Sequence, residues 1–299
     1  MARELYTARL EKKVCISEVA QCYQLEFVLD GMESFPFASG QFISAVATDP
    51  NGKQQTRAYS IASAASANRF DLCINRVENG FFSNYLCDLT VGATVQVHGP
   101  HGHFILQEPI TDSILLATGT GIAPMRAFTQ WLFPESGEHA GKDRSENKHF
   151  WLIYGTRHES ELYYRDYFER IAKEHSNFHY ITTLSRPDEE WQGHRGYVQE
   201  FLAPIVETRS ASHSQSAAHT GAVNAALVDT VVAVEEQVLS EQISGMPQAF
   251  DIHTYICGLN NMVSAVRERL TNFGWHKKQI IFERYDYSSS PAKLRKSTL

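Results

Sequence analysis

The pattern of apolar residues changes once along this chain, close to Pro109, and that change limits the fold more than any other feature. Before Pro109, short segments such as 23–29 and 69–74 alternate between apolar and polar residues and are bounded by turn residues, which indicates antiparallel strands. After it, continuous apolar runs such as 113–117 alternate with helical stretches, which indicates a parallel sheet with crossover helices. The 299 residues therefore predict two domains, an antiparallel β-barrel or sandwich at 1–108 and an α/β domain with a Rossmann-like parallel sheet at 109–299.

Two segments of the second domain depart from this alternation. Residues 208–245 begin with a stretch rich in Ser, Ala and His and continue with apolar residues at helical spacing, which predicts an inserted loop and a long helix. A tolerated surface insertion and a partner-binding site both remain open for this insertion. Residues 286–299 form a C-terminal tail that contains three basic side chains, Lys293, Arg295 and Lys296.

Composition excludes several classes of protein. Lys and Arg total 27 against 34 Asp and Glu, and this net charge of -7 does not suit a nucleic-acid binder, which needs clustered positive charge. The five cysteines contain no Cys-x-x-Cys pair, which excludes a structural zinc site and a plant-type iron–sulfur domain. The start of the chain lacks the apolar core of a signal peptide, and no apolar run is long enough to span a membrane. We expect a cytoplasmic location and no membrane span, and the sequence does not indicate an oligomeric state.

A histidine cluster near the predicted domain boundary is the one candidate for a metal site. His98, His101 and His103 flank a Gly-Pro turn. Because no carboxylate or thiolate lies nearby in the sequence, we expect no metal there.

A phosphate-binding turn is predicted where the first apolar strand of the second domain ends. The strand leads into Gly119-Thr-Gly121, and Pro124 follows near the first turn of a helix. Such a turn lets backbone N–H groups and the positive end of a helix approach a phosphate. A simple tight turn remains open, because Pro124 stands where the dinucleotide fingerprint has its third glycine.

Three further motifs are each ambiguous alone. Arg57 and Tyr59 alternate on one strand, which suits a pyrophosphate beside a flat ring or merely an exposed edge. Residues 80–89 predict a short helix capped by Ser83, whose start can receive a phosphate. Cys257 and Gly258 end a strand at the carboxyl edge of the sheet, where parallel sheets bind ligands.

Taken in order, these motifs resemble those of the ferredoxin–NADP reductase family, and most closely its plant-type branch. The motifs are Arg-x-Tyr-Ser, Gly-x-x-Ser-Asn-Tyr-Leu-Cys-Asp-Leu, Gly-Thr-Gly-Ile-Ala-Pro, Cys-Gly and a late Glu-x-Tyr. The resemblance implies an FAD-binding antiparallel β-barrel followed by an NADP-binding α/β domain. It also implies hydride transfer between NADP(H) and flavin N5, and exchange of single electrons with ferredoxin or flavodoxin as a transient partner.

The resemblance further implies which residues hold FAD. Tyr59 is expected against the isoalloxazine ring with Tyr285 on its other face, where the nicotinamide must displace it. The catalytic residues are expected to be Ser83 near flavin N5, Cys257 near nicotinamide C4, and Glu283 as a polar or proton-linked partner. The full set expected at FAD is Arg57, Ala58, Tyr59, Ser60, Gly80, Phe81, Phe82, Ser83 and Tyr285.

An NADP site is implied in the same way. Ser185, Arg186, Arg195 and Tyr197 offer hydroxyls, two guanidinium groups and a ring to an adenosine 2′-phosphate. The acidic run 188–190 would repel that phosphate if it faced the site, so NAD remains open. The full set expected at the nucleotide is Thr120, Gly121, Ser185, Arg186, Arg195, Tyr197, Gln199, Cys257 and Gly258.

The chain also departs from the family pattern, and two other functions remain open. The segment between Cys73 and Gly80 lacks the longer loop whose aromatic residue holds the FAD adenine in plant-type enzymes. The chain also continues past Tyr285. The C-terminal segment 277–299 carries six basic and two acidic side chains, a net charge of +4. With Arg9, Lys12 and Lys13, these residues are the expected docking surface for an acidic carrier. The alternatives are an NADH-dependent reductase component that supplies an oxygenase and a non-catalytic flavin-binding regulatory subunit.

Overall fold

A computed structural model of the chain describes residues 4–137, 139–207 and 252–285. The first half is a six-stranded sheet with the order β4-β3-β6-β1-β2-β5, in which every neighbouring pair is antiparallel. A bridge between Ile61 and Leu72 joins the end of β4 to β5, so the two edges of the sheet approach each other as in a barrel. The elements are β1 (Tyr6–Ser17), β2 (Cys22–Leu29), β3 (Phe42–Thr48), β4 (Gln54–Ser60), β5 (Arg69–Asn75), α1 (Phe81–Asp88) and β6 (Thr94–His101).

The second half is a six-stranded parallel sheet with the order β10-β9-β8-β7-β11-β12. Its elements are β7 (Asp112–Thr118), α2 (Ile122–Leu132), β8 (Phe150–Thr156), α3 (Arg165–Glu174), β9 (Phe178–Leu184), β10 (His194–Arg195), β11 (Ile252–Leu259), α4 (Asn260–Asn272) and β12 (Ile280–Tyr285). Short 3-10 helices lie at Gly119–Gly121, Glu159–Glu161, Val198–Phe201 and Lys277–Gln279. The predicted fold class, an antiparallel barrel followed by a Rossmann-like α/β domain, is confirmed.

Burial explains why the apolar runs of the second half form strands. Every residue of β8 is buried, and Ile114, Leu115 and Leu116 of β7 are fully buried in succession. Successive residues of a strand point to opposite faces, so both faces of the sheet must be covered. Leu115 packs with α2 and α3 on one face, and Ile114 packs with α4 on the other.

The local prediction for Ser83 is wrong in one respect. Gly80 occupies the N-cap position of α1 and the helix begins at Phe81, so Ser83 lies in the first turn. Its hydroxyl accepts a hydrogen bond from the Val77 N–H at 3.1 Å and donates one to the Gly80 carbonyl at 3.3 Å. Ser83 therefore ties the preceding turn to the helix instead of capping it.

The two domains share one buried cluster. Cys22, Ala62, Cys73 and Phe104 of the first domain pack with residues of α2 and of the parallel sheet. Arg126 of α2 donates to the Ala62 carbonyl at 2.6 Å and to Asp71 of β5 at 2.9 Å. The predicted division after residue 108 falls in the connection between β6 and β7, and its position stays a prediction.

Some sequence predictions concern residues that the structure does not describe. The insertion at 208–245 and the tail at 286–299 lie outside the described residues.

Within the described ranges, no helix is long and apolar enough to cross a membrane. Among those same residues, no group of three or more His, Cys, Asp or Glu side chains is placed to hold a metal ion. His98 Nδ1 and His101 Nε2 lie 2.7 Å apart and hydrogen-bond each other.

Candidate active site at the domain junction

The end of β4 in the barrel meets the end of β12 in the α/β domain. The Ser60 hydroxyl donates a hydrogen bond to Glu283 Oε2 at 2.8 Å, and its oxygen lies 2.6 Å from the Tyr285 hydroxyl oxygen. Glu283 and Tyr285 share one face of β12, because alternate residues of a strand point the same way. The structure thus brings together three of the residues predicted at the flavin, from positions more than 220 apart in the chain.

Cys257 lies beside this group on the neighbouring strand. In the parallel register, Cys257 of β11 stands opposite Glu283 of β12 on one side and Ala117 of β7 on the other. Burial raises the pKa of the fully buried Cys257 thiol, and the nearby Glu283 carboxylate raises it further. The thiol is therefore neutral at physiological pH, which excludes a thiolate nucleophile at this position.

Glu283 experiences two opposing influences. Burial raises the pKa of its carboxyl group, whereas the hydrogen bond from Ser60 stabilises the ionised form and lowers it; burial is the larger effect. Glu283 therefore holds its proton to higher pH than an ordinary glutamate. A buried carboxyl group with a raised pKa beside a hydroxyl pair is a candidate for proton transfer at an active site.

Two glycines bring neighbouring segments into close contact at the carboxyl edge of the parallel sheet. A Cβ atom on Gly121 would collide with the Cys257 carbonyl, and one on Gly258 would collide with the Thr118 hydroxyl, so both glycines allow close backbone approach. The Thr118 hydroxyl is buried and has no hydrogen-bond partner among the described residues. An unpaired buried hydroxyl beside two tightly packed glycines fits a polar ligand at this edge.

The remaining residues predicted at FAD lie around α1. Tyr59 packs edge-on against Phe82, with ring centroids 6.5 Å apart, and Phe82 packs edge-on against Phe81 at 5.3 Å. Burial raises the pKa of Tyr59, so its hydroxyl stays protonated. Arg57 and Ala58 are exposed on β4. Residues 57–60 and 80–82 therefore lie on adjoining elements, as a single cofactor site requires.

Ser83 is placed differently from the other predicted catalytic residues. It is buried, and its hydroxyl bonds lie within its own loop, to Val77 and Gly80. Within the described residues, this hydroxyl makes no hydrogen bond to Cys257 or Glu283. The structure therefore connects Cys257 and Glu283 directly and leaves Ser83 in the turn that precedes α1.

The residues predicted for the adenosine 2′-phosphate gather after β9 and β10. Ser185 and Arg186 follow β9, where their N–H groups bond to the Thr156 and Arg157 carbonyls at 2.9 Å. The Arg195 guanidinium donates to the Asp188 and Trp191 carbonyls at 3.1 and 3.0 Å and thereby holds the loop that carries the acidic run 188–190. Tyr197 is 61% exposed, and Gln199 is half-buried in the 3-10 helix that follows. Thr120, the remaining predicted residue, lies in the 3-10 turn after β7.

One residue of the site, Thr118, and one residue of the contact between the domains, Arg126, were not predicted from the sequence. Thr118 directly precedes Gly119, and its position at the end of a strand before a glycine-rich turn is a signal that can identify it. Arg126 lies on the first helix after the same turn but faces the barrel, and the sequence carries no signal for that orientation.

Comparisons with known proteins agree with this geometry. The model of the oxidoreductase FAD-binding domain matches residues 7–105, and that of the oxidoreductase NAD-binding domain matches residues 115–222. The chain is 34% identical to ferredoxin–NADP reductase B of Sorangium cellulosum (strain So ce56) over 267 residues, which cover 88% of this chain and 91% of that protein. It is 30% identical to the toluate 1,2-dioxygenase electron transfer component of Pseudomonas putida over 197 residues, 64% of this chain and about half (55%) of that protein.

A solved structure has the same fold. The ferredoxin–NADP+ reductase from Plasmodium falciparum, solved with 2′P-AMP, superposes with a TM-score of 0.66 at 20% identity and covers 94% of this chain and 97% of that one. An antiparallel FAD-binding domain joined to a nicotinamide-nucleotide-binding α/β domain defines an FAD- and NAD(P)-dependent oxidoreductase. The chain belongs to the ferredoxin–NADP reductase family. The prediction of FAD and NADP(H) as cofactors is confirmed by these matches.

Proposed function

We propose that this protein is a ferredoxin– or flavodoxin–NADP(+) reductase, which exchanges hydride with NADP(H) and single electrons with a small acidic carrier. The observation that carries the proposal is the contact of Ser60 with Glu283 and Tyr285, beside Cys257. It joins the end of an FAD-domain strand to the carboxyl edge of the nucleotide-domain sheet. We place the meeting point of a flavin and a nicotinamide held by these two domains at this junction.

The residues at this junction have different roles in binding and positioning. FAD supplies the change from two-electron to one-electron chemistry when it is bound. Cys257 and Gly258 lie near the end of β11 and carry no charge. A nicotinamide can therefore lie against them without meeting a thiolate nucleophile. Glu283 presents a carboxyl group of raised pKa at the site, and the hydrogen bond from Ser60 fixes the direction of that group. Tyr285 covers the site from the end of β12.

The choice of NADPH over NADH rests on the residues after β9. Arg186 is exposed at the end of that strand, whereas the Arg195 guanidinium is engaged by two carbonyls of the adjoining loop. We assign Ser185 and Arg186 to the 2′-phosphate and Arg195 to holding the loop that borders it. Arg186→Ala is expected to raise KM for NADPH by about 10-fold or more while KM for NADH stays constant, because a charge-assisted hydrogen bond is lost.

A second candidate is an NADH-dependent reductase component that supplies an oxygenase. The exposed carboxylates at 188–190 favour it, because they stand beside the proposed phosphate site. The similarity to an electron transfer component of a dioxygenase also supports it. In that case NADH is the better substrate, and Arg186→Ala changes neither KM.

The carrier is expected to dock next to Tyr285. Arg9 pairs with Asp30 and Lys12 pairs with Glu26, so two charges on this side of the expected surface are balanced, whereas the Lys13 ammonium bonds the Cys87 and Leu89 carbonyls and keeps its charge. On the outer face of β12, the Arg267 and Arg284 guanidinium groups lie 4.1 and 5.2 Å from the Phe282 ring centroid. Burial lowers the pKa of Arg267, and repulsion by Arg284 lowers it further. Arg284 directly precedes Tyr285, and together with Arg267 it can attract an acidic surface.

Two tests address the carrier and the activity. Arg284→Glu is expected to weaken ferredoxin binding at low salt and to leave NADPH oxidation with ferricyanide unchanged. Truncation after Asp286 measures how much of the ferredoxin affinity depends on the tail.

With FAD, the purified protein is expected to be yellow and to reduce ferricyanide with NADPH much faster than with NADH. Failure to bind flavin after mild purification and FAD supplementation contradicts the proposal. A cytoplasmic location stays a prediction.

A further inference from the structure

A shallow cavity of about 410 Å³, open to solvent, lies along α1, away from the junction of the two domains, and is lined by Phe81, Asn84, Tyr85, Asp88 and Leu89. These positions repeat every three or four residues, so they form one face of the helix and the residue that follows it. We propose that this cavity binds the adenine ring of FAD. The inference rests on the proposed function only in taking FAD as the flavin.

Two aromatic rings give the cavity the surface that a purine recognises. Phe81 and Tyr85 are nearly parallel, with ring centroids 6.0 Å apart and an angle of 24° between their planes. Phe82 packs edge-on against both rings, at 5.3 Å from Phe81 and 6.4 Å from Tyr85, and keeps them in place. Flat bases bind to aromatic faces by stacking, which tolerates a range of bases but requires a ring.

The polar residues at the cavity are held in a fixed arrangement. Arg76 donates to Asn84 Oδ1 at 2.7 Å and to Asp88 Oδ1 at 2.6 Å. Asn84 in turn donates to the Gly80 and Val77 carbonyls at 2.6 and 3.1 Å. The hydrogen bond from Arg76 lowers the pKa of Asp88, so its exposed carboxylate is an acceptor that suits the amino group of adenine.

The position of the cavity relative to the flavin residues supports the assignment. Phe82 contacts Tyr59, which is proposed at the isoalloxazine, whereas the neighbouring Phe81 lines the cavity. Gly80, proposed at the phosphates, is the N-cap of the same helix. A dinucleotide whose phosphates lie at Gly80 therefore has its flavin on the Tyr59 side of α1 and its adenine on the cavity side. No aromatic residue precedes Gly80 in the segment 74–79, so the rings of α1 take the place of an aromatic loop residue.

The test compares the affinity of the flavin-free protein for FAD with its affinity for FMN, which lacks the adenosine half. Both are measured by quenching of flavin fluorescence, for the wild type and for the Tyr85→Ala and Tyr85→Phe variants. Tyr85→Ala is expected to weaken FAD binding by about 10-fold and to leave FMN binding unchanged, because one stacking surface is lost. Tyr85→Phe keeps the ring and is expected to retain the affinity of the wild type for FAD.

A second substitution guards against loss of folding. Phe81→Leu keeps an apolar side chain of similar size, and it is expected to reduce the preference for FAD over FMN in the same direction as Tyr85→Ala. Equal losses for FAD and FMN in both variants, or no loss in either, overturn the adenine site. Reduction of the wild-type flavin by NADPH is measured separately, so failure of the proposed function is distinguished from failure of this assignment.

Discussion

Glu283 is the side chain whose protonation links the candidate site to pH. Its carboxyl group is buried, and the only hydrogen bond that the described residues give it comes from Ser60. Because burial raises its pKa above the unfolded value, the folded state binds more protons than the unfolded state between the two values. The contribution of Glu283 to stability is therefore present at low pH and is lost as the pH rises through the folded pKa.

Glu283→Gln is expected to change how the stability of the protein depends on pH. The variant removes the cost of ionising a buried carboxyl group, so relative to the wild type it gains stability as the pH rises from the ordinary glutamate range to above the raised pKa. Urea unfolding at several pH values measures this difference. A difference between the two proteins that stays constant with pH contradicts the raised pKa of Glu283.

Ser83 is expected to affect flavin reduction indirectly, because its hydroxyl holds the turn that precedes α1. Ser83→Val removes the acceptor of the Val77 N–H, and we expect it to slow reduction of the bound flavin at saturating NADPH by about 10-fold or more, while Kd for NADPH is unchanged. Ser83→Thr keeps the hydroxyl and is expected to retain most of the rate. If Ser83→Val weakens NADPH binding as much as it slows reduction, or affects neither, Ser83 has no such role.

At the scale of elements, the carboxyl edge of the parallel sheet depends on the close approach of β7 and β11. A Cβ atom on Gly121 would meet backbone atoms of Cys257, which cannot move aside as a flexible side chain can. Gly121→Ala must therefore separate the turn after β7 from the end of β11.

We expect Gly121→Ala to weaken NADP+ binding by about 10-fold or more, because the geometry of the nucleotide edge is disturbed while α1 and β4 are unaffected. Equilibrium titration with NADP+ measures the loss, and the FAD content of the purified protein serves as the control. An unchanged affinity for NADP+ contradicts the placement of the nucleotide at this edge.

At the scale of the whole molecule, Arg126 and Asp71 link the two domains by a largely buried ion pair. Their side chains are 12% and 16% exposed, and Arg126 also lies over the Tyr164 and Tyr167 rings. Burial raises the pKa of Asp71, although Arg126 opposes this effect. The pair holds α2, the helix that follows the nucleotide-binding turn, against the FAD domain.

Arg126→Met is expected to destabilise the protein by about 3–5 kcal/mol, because Asp71 is left buried without its partner charge. The loss should be smaller at low pH, where Asp71 is protonated, and smaller in the Arg126→Met, Asp71→Asn double variant. Thermal and urea unfolding measure these differences. A loss below about 1 kcal/mol, the range of exposed pairs, contradicts the buried character of the link.

The sequence predicts the two domains better than it predicts how they meet. Alternation in the first half and continuous apolar runs in the second determine which faces of the strands are buried, and that fixes the fold class. Nothing in the alternation of β2 and β5 indicates that Cys22 and Cys73 are covered by the second domain. The cap assigned to Ser83 is wrong because helix boundaries inferred from a pattern are uncertain by a few residues.

The candidate site was also predictable only in part, because its residues come from elements that are distant in the chain. The order of motifs, through the family resemblance, brings Ser60, Glu283 and Tyr285 to one site, although no periodicity connects residues so distant in the chain. The buried Thr118 hydroxyl and the α1 cavity depend on packing between elements, which the sequence pattern does not encode.

Anaerobic reduction of the FAD-loaded protein by each nicotinamide nucleotide is the sharpest test of hydride transfer from NADPH to the flavin. The absorbance band of oxidised flavin is followed in a stopped-flow instrument after mixing with NADPH or with NADH. We expect rapid bleaching by NADPH and a rate for NADH that is lower by about 10-fold or more, because NADH lacks the 2′-phosphate contacts. Bleaching by neither nucleotide, as a non-catalytic flavin-binding subunit would give, contradicts this expectation.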